Sequence, residues 1–174
     1  VLTVEPDVSS KGDHVLETAV RINVKFHSVL FKAMLDHGVY MEGALLKSNM
    51  VNPGKNCSKT YTVDEIAEAN LEVFRRCFPT AMRSANYLSG GQSLEDAAAR
   101  LDAINKKKTV RDPWNLSFSW SAALQMPLFE LCRGKDELPL QEMEKLYVKE
   151  LEVAGKAALG KHKRNGTDGD HIGK

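Results

Sequence analysis

At 174 residues and 43% apolar composition, the chain is long enough for one hydrophobic core, and it suits one domain or a piece of a larger one better than two. Its 24 Lys+Arg and 23 Asp+Glu nearly cancel, so no global field favours nucleic acid or an anionic membrane surface. Cys57, Cys77 and Cys132 show no CxxC or Cys/His spacing, which argues against a disulfide framework and for a reducing compartment, the cytoplasm or a plastid.

With no apolar run of about 18 residues and no charged-then-apolar leader, neither a membrane span nor a signal peptide is expected. The start at Val1, without Met and directly on an apolar stretch, leads us to expect sequence upstream.

In chain order, residues 1–5 are β-rich and stop at Pro6. Residues 13–37 carry helical periodicity through Leu16, Val20, Val24, His27, Phe31 and Leu35, with Gly38 as the stop. Residues 39–46 form a second short apolar segment, followed by a Pro/Gly/Asn-rich loop over 52–56. Thr62-Val63-Asp64-Glu65 is a capping box that opens a helix with Ile66, Ala69, Val73 and Phe78 on one face.

A brief strand at 86–88 enters Ser89-Gly90-Gly91-Gln92-Ser93, and Ser93 starts a helix running to about Asn105. After a basic loop at 106–111, residues 114–120 read as a fourth strand and 122–131 as a helix, with a last helix at 140–159. The segment 160–174 is polar and reads as a flexible tail.

Four strand-then-helix units call for a parallel α/β sheet, because each helix is long enough to serve as a crossover. Residues 1–159 therefore read as four βα units, half of a (β/α)8 TIM barrel, with a small open α/β domain as the alternative. In a barrel the chemistry lies at the strand C-termini. Those positions hold Glu5 and Asp7, then Glu42 and Lys47, then Ser89, Gly90 and Gly91, and finally Ser119 and Ser121.

Lys47 follows Leu45-Leu46, two residues that would desolvate its amine and favour the neutral, nucleophilic form; the alternative is an ordinary surface lysine. Glu5 and Asp7 offer general acid–base chemistry beside an imine, or are solvated loop carboxylates. Two adjacent glycines before a helix start suit a phosphate, because backbone N–H groups can approach an anion closely there. They also suit a plain βα turn. Lys106, Lys107 and Lys108 read as a solvated loop, and the five histidines lack ligand spacing, so no metal and no cofactor are expected.

Several strings then resemble one family. They are Val4-Glu5-Pro6-Asp7 with Gly12-Asp13-His14; Glu42-Gly43-Ala44-Leu45-Leu46-Lys47-Ser48-Asn49-Met50-Val51; Leu88-Ser89-Gly90-Gly91-Gln92-Ser93; and Pro113-Trp114-Asn115-Leu116-Ser117-Phe118-Ser119. Together they are similar to the C-terminal half of class I, Schiff-base fructose-bisphosphate aldolases. The resemblance implies a TIM barrel, usually a homotetramer, that reversibly cleaves fructose 1,6-bisphosphate to dihydroxyacetone phosphate and glyceraldehyde 3-phosphate in glycolysis without metal.

By that resemblance Lys47 forms the imine, Glu5 moves protons beside it, and Ser89, Gly90 and Gly91 hold a substrate phosphate. It also implies the N-terminal half of the barrel as a partner, and actin or another protein as a further one. The chain departs from the family where Asp7 replaces a glutamate, Ser48 a proline and Ala122 the arginine that clamps phosphate, and where Ile172-Gly173-Lys174 stands for a terminal tyrosine. Two further readings follow: an aldolase-like scaffold or adaptor without turnover, and a Schiff-base aldolase for a monophosphorylated sugar.

Overall fold

The structure, a computed structural model, describes residues 1–163. Within it β1 (Leu2–Val4), β2 (Ala44–Ser48), β3 (Ser84–Tyr87) and β4 (Asn115–Phe118) form one sheet in the order β1-β2-β3-β4, every pair parallel. Crossovers are made by α1 (Leu16–Asp36), α2 (Val63–Cys77) and α3 (Leu94–Lys107), and α4 (Ala122–Cys132) and α5 (Leu140–Ala158) follow β4. Parallel neighbours need such long returns, and here each return is a helix laid on the same face of the sheet.

Burial alternates along the strands, as a period of two demands. Leu46, Ala85, Tyr87 and Leu116 point to the helices and are essentially inaccessible. They meet Ile66, Leu71, Val73 and Phe74 of α2 and Leu101 and Ile104 of α3. The Phe74 ring stacks on Tyr87 at 5.7 Å. The opposite face carries Leu45, Lys47, Asn86 and Ser117, all only half-buried, and no helix among the described residues covers it.

Local signals explain the helix limits. Thr62 accepts from the Glu65 backbone N–H, and the Glu65 carboxylate accepts from the Thr62 N–H, closing the expected capping box. Ser93 caps α3 by accepting from the Asp96 N–H. Gly38, at φ +66°, ends α1 while the Val39 N–H turns back to the Met34 carbonyl.

Three expectations shift. On α1 Met34 is buried and Leu35 is 63% exposed, because a 3.6-residue period cannot keep to steps of four over a helix this long. Residues 39–43 are not strand: a 3-10 turn, Met41–Gly43, precedes β2, and the Tyr40 ring lies where a side chain on Gly43 would be, 2.7 Å from its Cβ position. Lys106 and Lys107 belong to α3 rather than to a loop.

The polar segment from residue 160 is tied down at its start, since the His162 N–H donates to Asp102 Oδ1 at 2.8 Å. Residues 164–174, including the Ile172-Gly173-Lys174 end, lie outside the described residues.

Candidate active site

Strand register sets out the site before any side chain is considered. Thr3 pairs with Leu45, so the chain places Glu5 opposite Lys47, and Lys47 pairs with Asn86, which pairs with Ser117. Glu5, Lys47, Asn86 and Ser117 thus form one row across the open face. Lys47 Nζ reaches Glu5 Oε1 at 3.1 Å, with the lysine side chain 25% exposed. Sequence alone does not single out Asn86 and Ser117; their signal is a polar residue alternating with buried Ala85, Tyr87 and Leu116 and partly buried Phe118.

The surroundings of Lys47 differ from those expected. Leu46 points away from it into the helix-side core, as alternation along a strand requires. The amine therefore meets a carboxylate rather than a wall of two leucines. Lys47 also lies within β2 and not beyond its end.

A buried polar layer holds the strand exit behind this row. Ser48 Oγ donates to the Asn49 carbonyl and lies 3.1 Å from His27 Nε2 on α1. Since the hydroxyl proton is already used, His27 Nε2–H is the donor in that contact, and Nδ1 is left without a partner. Burial pushes the His27 pKa down to about 4. Asn49 accepts from the Val8 N–H at 3.0 Å, and Asn70 on α2 pairs with both backbone groups of Val51. The chain that leaves β2 just after Lys47 is thereby held in place.

At the end of β3, Gly90 and Gly91 take φ +58° and +73°, conformations that glycine adopts at little cost. Consecutive left-handed residues before α3 turn backbone N–H groups into a concavity suited to an anion. Ser89, 6% exposed, sits at its base, and its hydroxyl makes no hydrogen bond among the described residues. Gln92 braces the loop: its Nε2 donates to the Ser89 carbonyl at 2.8 Å, and Arg100 Nη1 donates to its Oε1. The Ser48 carbonyl accepts from the Leu88 N–H and the Tyr87 carbonyl from the Ser119 N–H, which keeps the three strand ends on one rim.

Other expected site residues are less engaged. Asp7 is exposed and has no ion pair among the described residues, Ser119 is half-buried beside β3, and Ser121 Oγ donates to Gln125 on α4. Ala122 is exposed at the start of α4. Grooves of about 450 Å³ between α1 and α2, and about 430 Å³ around α3 and His162, lie in the outer helical layer and do not include Lys47.

A lysine and a carboxylate thus face each other at the C-terminal rim of parallel strands, near a pair of left-handed glycines. Comparison with known proteins gives the family. The family model described as fructose-bisphosphate aldolase class-I matches residues 1–172. Fructose-bisphosphate aldolase C of Homo sapiens is 42% identical over 166 residues, covering 95% of this chain and 45% of that protein. The fructose-bisphosphate aldolase of Echinococcus multilocularis is 43% identical over 158 residues, covering 91% and 43%.

Among solved structures, Plasmodium falciparum fructose-bisphosphate aldolase, in complex with TRAP and a small molecule inhibitor, superposes with a TM-score of 0.88 at 34% identity, over 94% of this chain and 46% of that one. The chain belongs to the class I fructose-bisphosphate aldolase family, and it spans about half the length of the curated relatives it matches. Its sheet is half of an aldolase TIM barrel.

Proposed function

We propose that the complete polypeptide carrying this chain is a sugar-phosphate aldolase that reversibly cleaves fructose 1,6-bisphosphate to dihydroxyacetone phosphate and glyceraldehyde 3-phosphate. The observation that carries this reading is the 3.1 Å approach of Lys47 Nζ to Glu5 Oε1 on the open strand rim. Transfer of the ammonium proton to Glu5 frees the amine to attack the ketone carbonyl. The same carboxyl then returns a proton to the carbinolamine oxygen, which leaves as water and gives the imine. Glu5, again a carboxylate, takes the proton of the hydroxyl on the departing carbon; that carbon becomes the aldehyde as the protonated imine draws the electrons of the breaking carbon–carbon bond, leaving an enamine on Lys47. Ser89 and the N–H groups of the glycine loop hold a substrate phosphate.

Borohydride added with dihydroxyacetone phosphate is expected to leave a covalent adduct on Lys47 of the complete protein, and none on a Lys47→Ala variant. A folded wild-type protein with no adduct would sink the reading.

A second reading, an aldolase-like scaffold without turnover or an aldolase for a monophosphorylated sugar, is favoured by Ala122, which brings no cation to the rim. Comparing cleavage rates of mono- and bisphosphorylated ketoses separates these cases. The free thiols of Cys57, Cys77 and Cys132 support a cytoplasmic setting, and family membership supports a homotetramer and a protein partner such as actin. Cell fractionation and sedimentation of the complete protein test the first two.

A further inference from the structure

The loop between β2 and α2 is locked to the loop after β1. The Gly54, Lys55 and Asn56 N–H groups donate in succession to the carbonyls of His14, Ser10 and Gly12 at 2.8, 2.9 and 2.8 Å. Gly54 permits this approach, because a Cβ there would fall 2.4 Å from the Gly12 carbonyl oxygen. The backbone of Lys55 is thereby fixed, while its side chain extends toward the end of β3. A Cβ on Gly91 would lie 3.1 Å from Lys55 Nζ. The ammonium group thus sits against the backbone of the glycine loop.

Lys55 enters none of the ion pairs among the described residues. A lysine held by its backbone over two left-handed glycines, with no carboxylate paired to it among the described residues, is placed to meet an anion. One further feature at the same place fits an anion: Ser89 is only 6% exposed, yet its hydroxyl makes no hydrogen bond among the described residues. A chain that needed these glycines only for a turn would have no use for the cation, and a solvated lysine would have no reason to lean on them.

We propose that Lys55 is a substrate-binding residue, whose ammonium supplies the positive charge for a phosphate held by Ser89 and the Gly90–Gly91 backbone. This rests on the aldolase reading above and gives its phosphate site the cation that Ala122 does not provide. Lysine suits the role as a mobile point charge that tolerates several orientations of a phosphate.

The test uses the complete protein with fructose 1,6-bisphosphate as substrate and inorganic phosphate as probe. Lys55→Gln is expected to raise KM for the bisphosphate about tenfold with kcat within about twofold, and to weaken phosphate binding measured by calorimetry about tenfold, the scale of one charge-assisted contact. Lys55→Arg should retain most of both, and Lys32→Gln on the outer side of α1 should change neither. Phosphate binding and KM unaltered in Lys55→Gln would overturn the proposal even if borohydride traps Lys47 normally. Lys55-dependent phosphate binding without any trapped adduct on Lys47 would instead uphold the anion site and remove the aldolase reading.

Discussion

Lys47 and Ser48 are neighbours in sequence yet belong to different chemical worlds, one on the open face beside Glu5, the other sealed against His27. The sealed pair has a pH dependence that can be worked out. His27 titrates near 4 in the folded chain against about 6.5 unfolded, so between those values the unfolded state binds the extra proton. Stability is therefore intact above about pH 6.5 and falls as pH drops toward 4, by about 3 kcal/mol in total. Denaturant unfolding at stepped pH should show this loss, and His27→Leu should flatten it; equal slopes in both proteins would contradict the assignment.

A second buried group titrates lower. Asp112 accepts from Arg75 Nε and Nη2 and from Thr109, and the guanidinium holds its pKa near 2. Its contribution is present above the usual carboxylate range and is lost between about pH 4 and 2, below the His27 window. Arg75→Ala leaves the buried carboxylate unpaired. The expected cost is about 2 kcal/mol, reduced from the fully buried case because Arg75 remains a third exposed. Thermal melts at neutral pH would measure it. None of these pairings was legible in the sequence, since His27, Ser48, Arg75 and Asp112 are joined only by the packing of separate elements.

Elements were more legible than contacts, for physical reasons that differ from one to the next. The capping box at Thr62, the Ser93 cap and the Gly38 stop each act within four residues, so sequence shows them directly. Residues 39–43 misled because short apolar runs do not distinguish a strand from a turn packed under an aromatic ring. Lys55 reads in the sequence as part of a Pro/Gly/Asn loop, and its signal, a cation directly after Gly54, has meaning only once that loop is seated on the one after β1. Gly54→Ala tests the seating: a Cβ forced against the Gly12 carbonyl should cost about 1–3 kcal/mol and raise KM for the bisphosphate together with the stability loss. Lys55→Gln should raise KM without that loss. If Gly54→Ala left both stability and KM unchanged, the two loops would not hold Lys55 in place.

At the scale of the whole molecule, the half-barrel organisation was legible because four strand–helix repeats of similar length leave few other solutions, whereas the row across the open face needed the register. That face and the two edges of the sheet also have a consequence for the chain by itself. β1 and β4 each pair on one side only, Val1 and Leu2 are exposed at one edge, and Leu45, Lys47, Asn86 and Ser117 have no covering layer among the described residues. Unpaired parallel edges are templates for further pairing. Produced alone, the 174-residue chain is expected to self-associate with rising concentration in sedimentation velocity. Adding the complementary half of the barrel should convert it to a species of defined mass that also becomes competent for borohydride trapping on Lys47. A strictly monomeric chain, unaffected by its complement, would mean that the sheet is stable open and that the second half closes nothing.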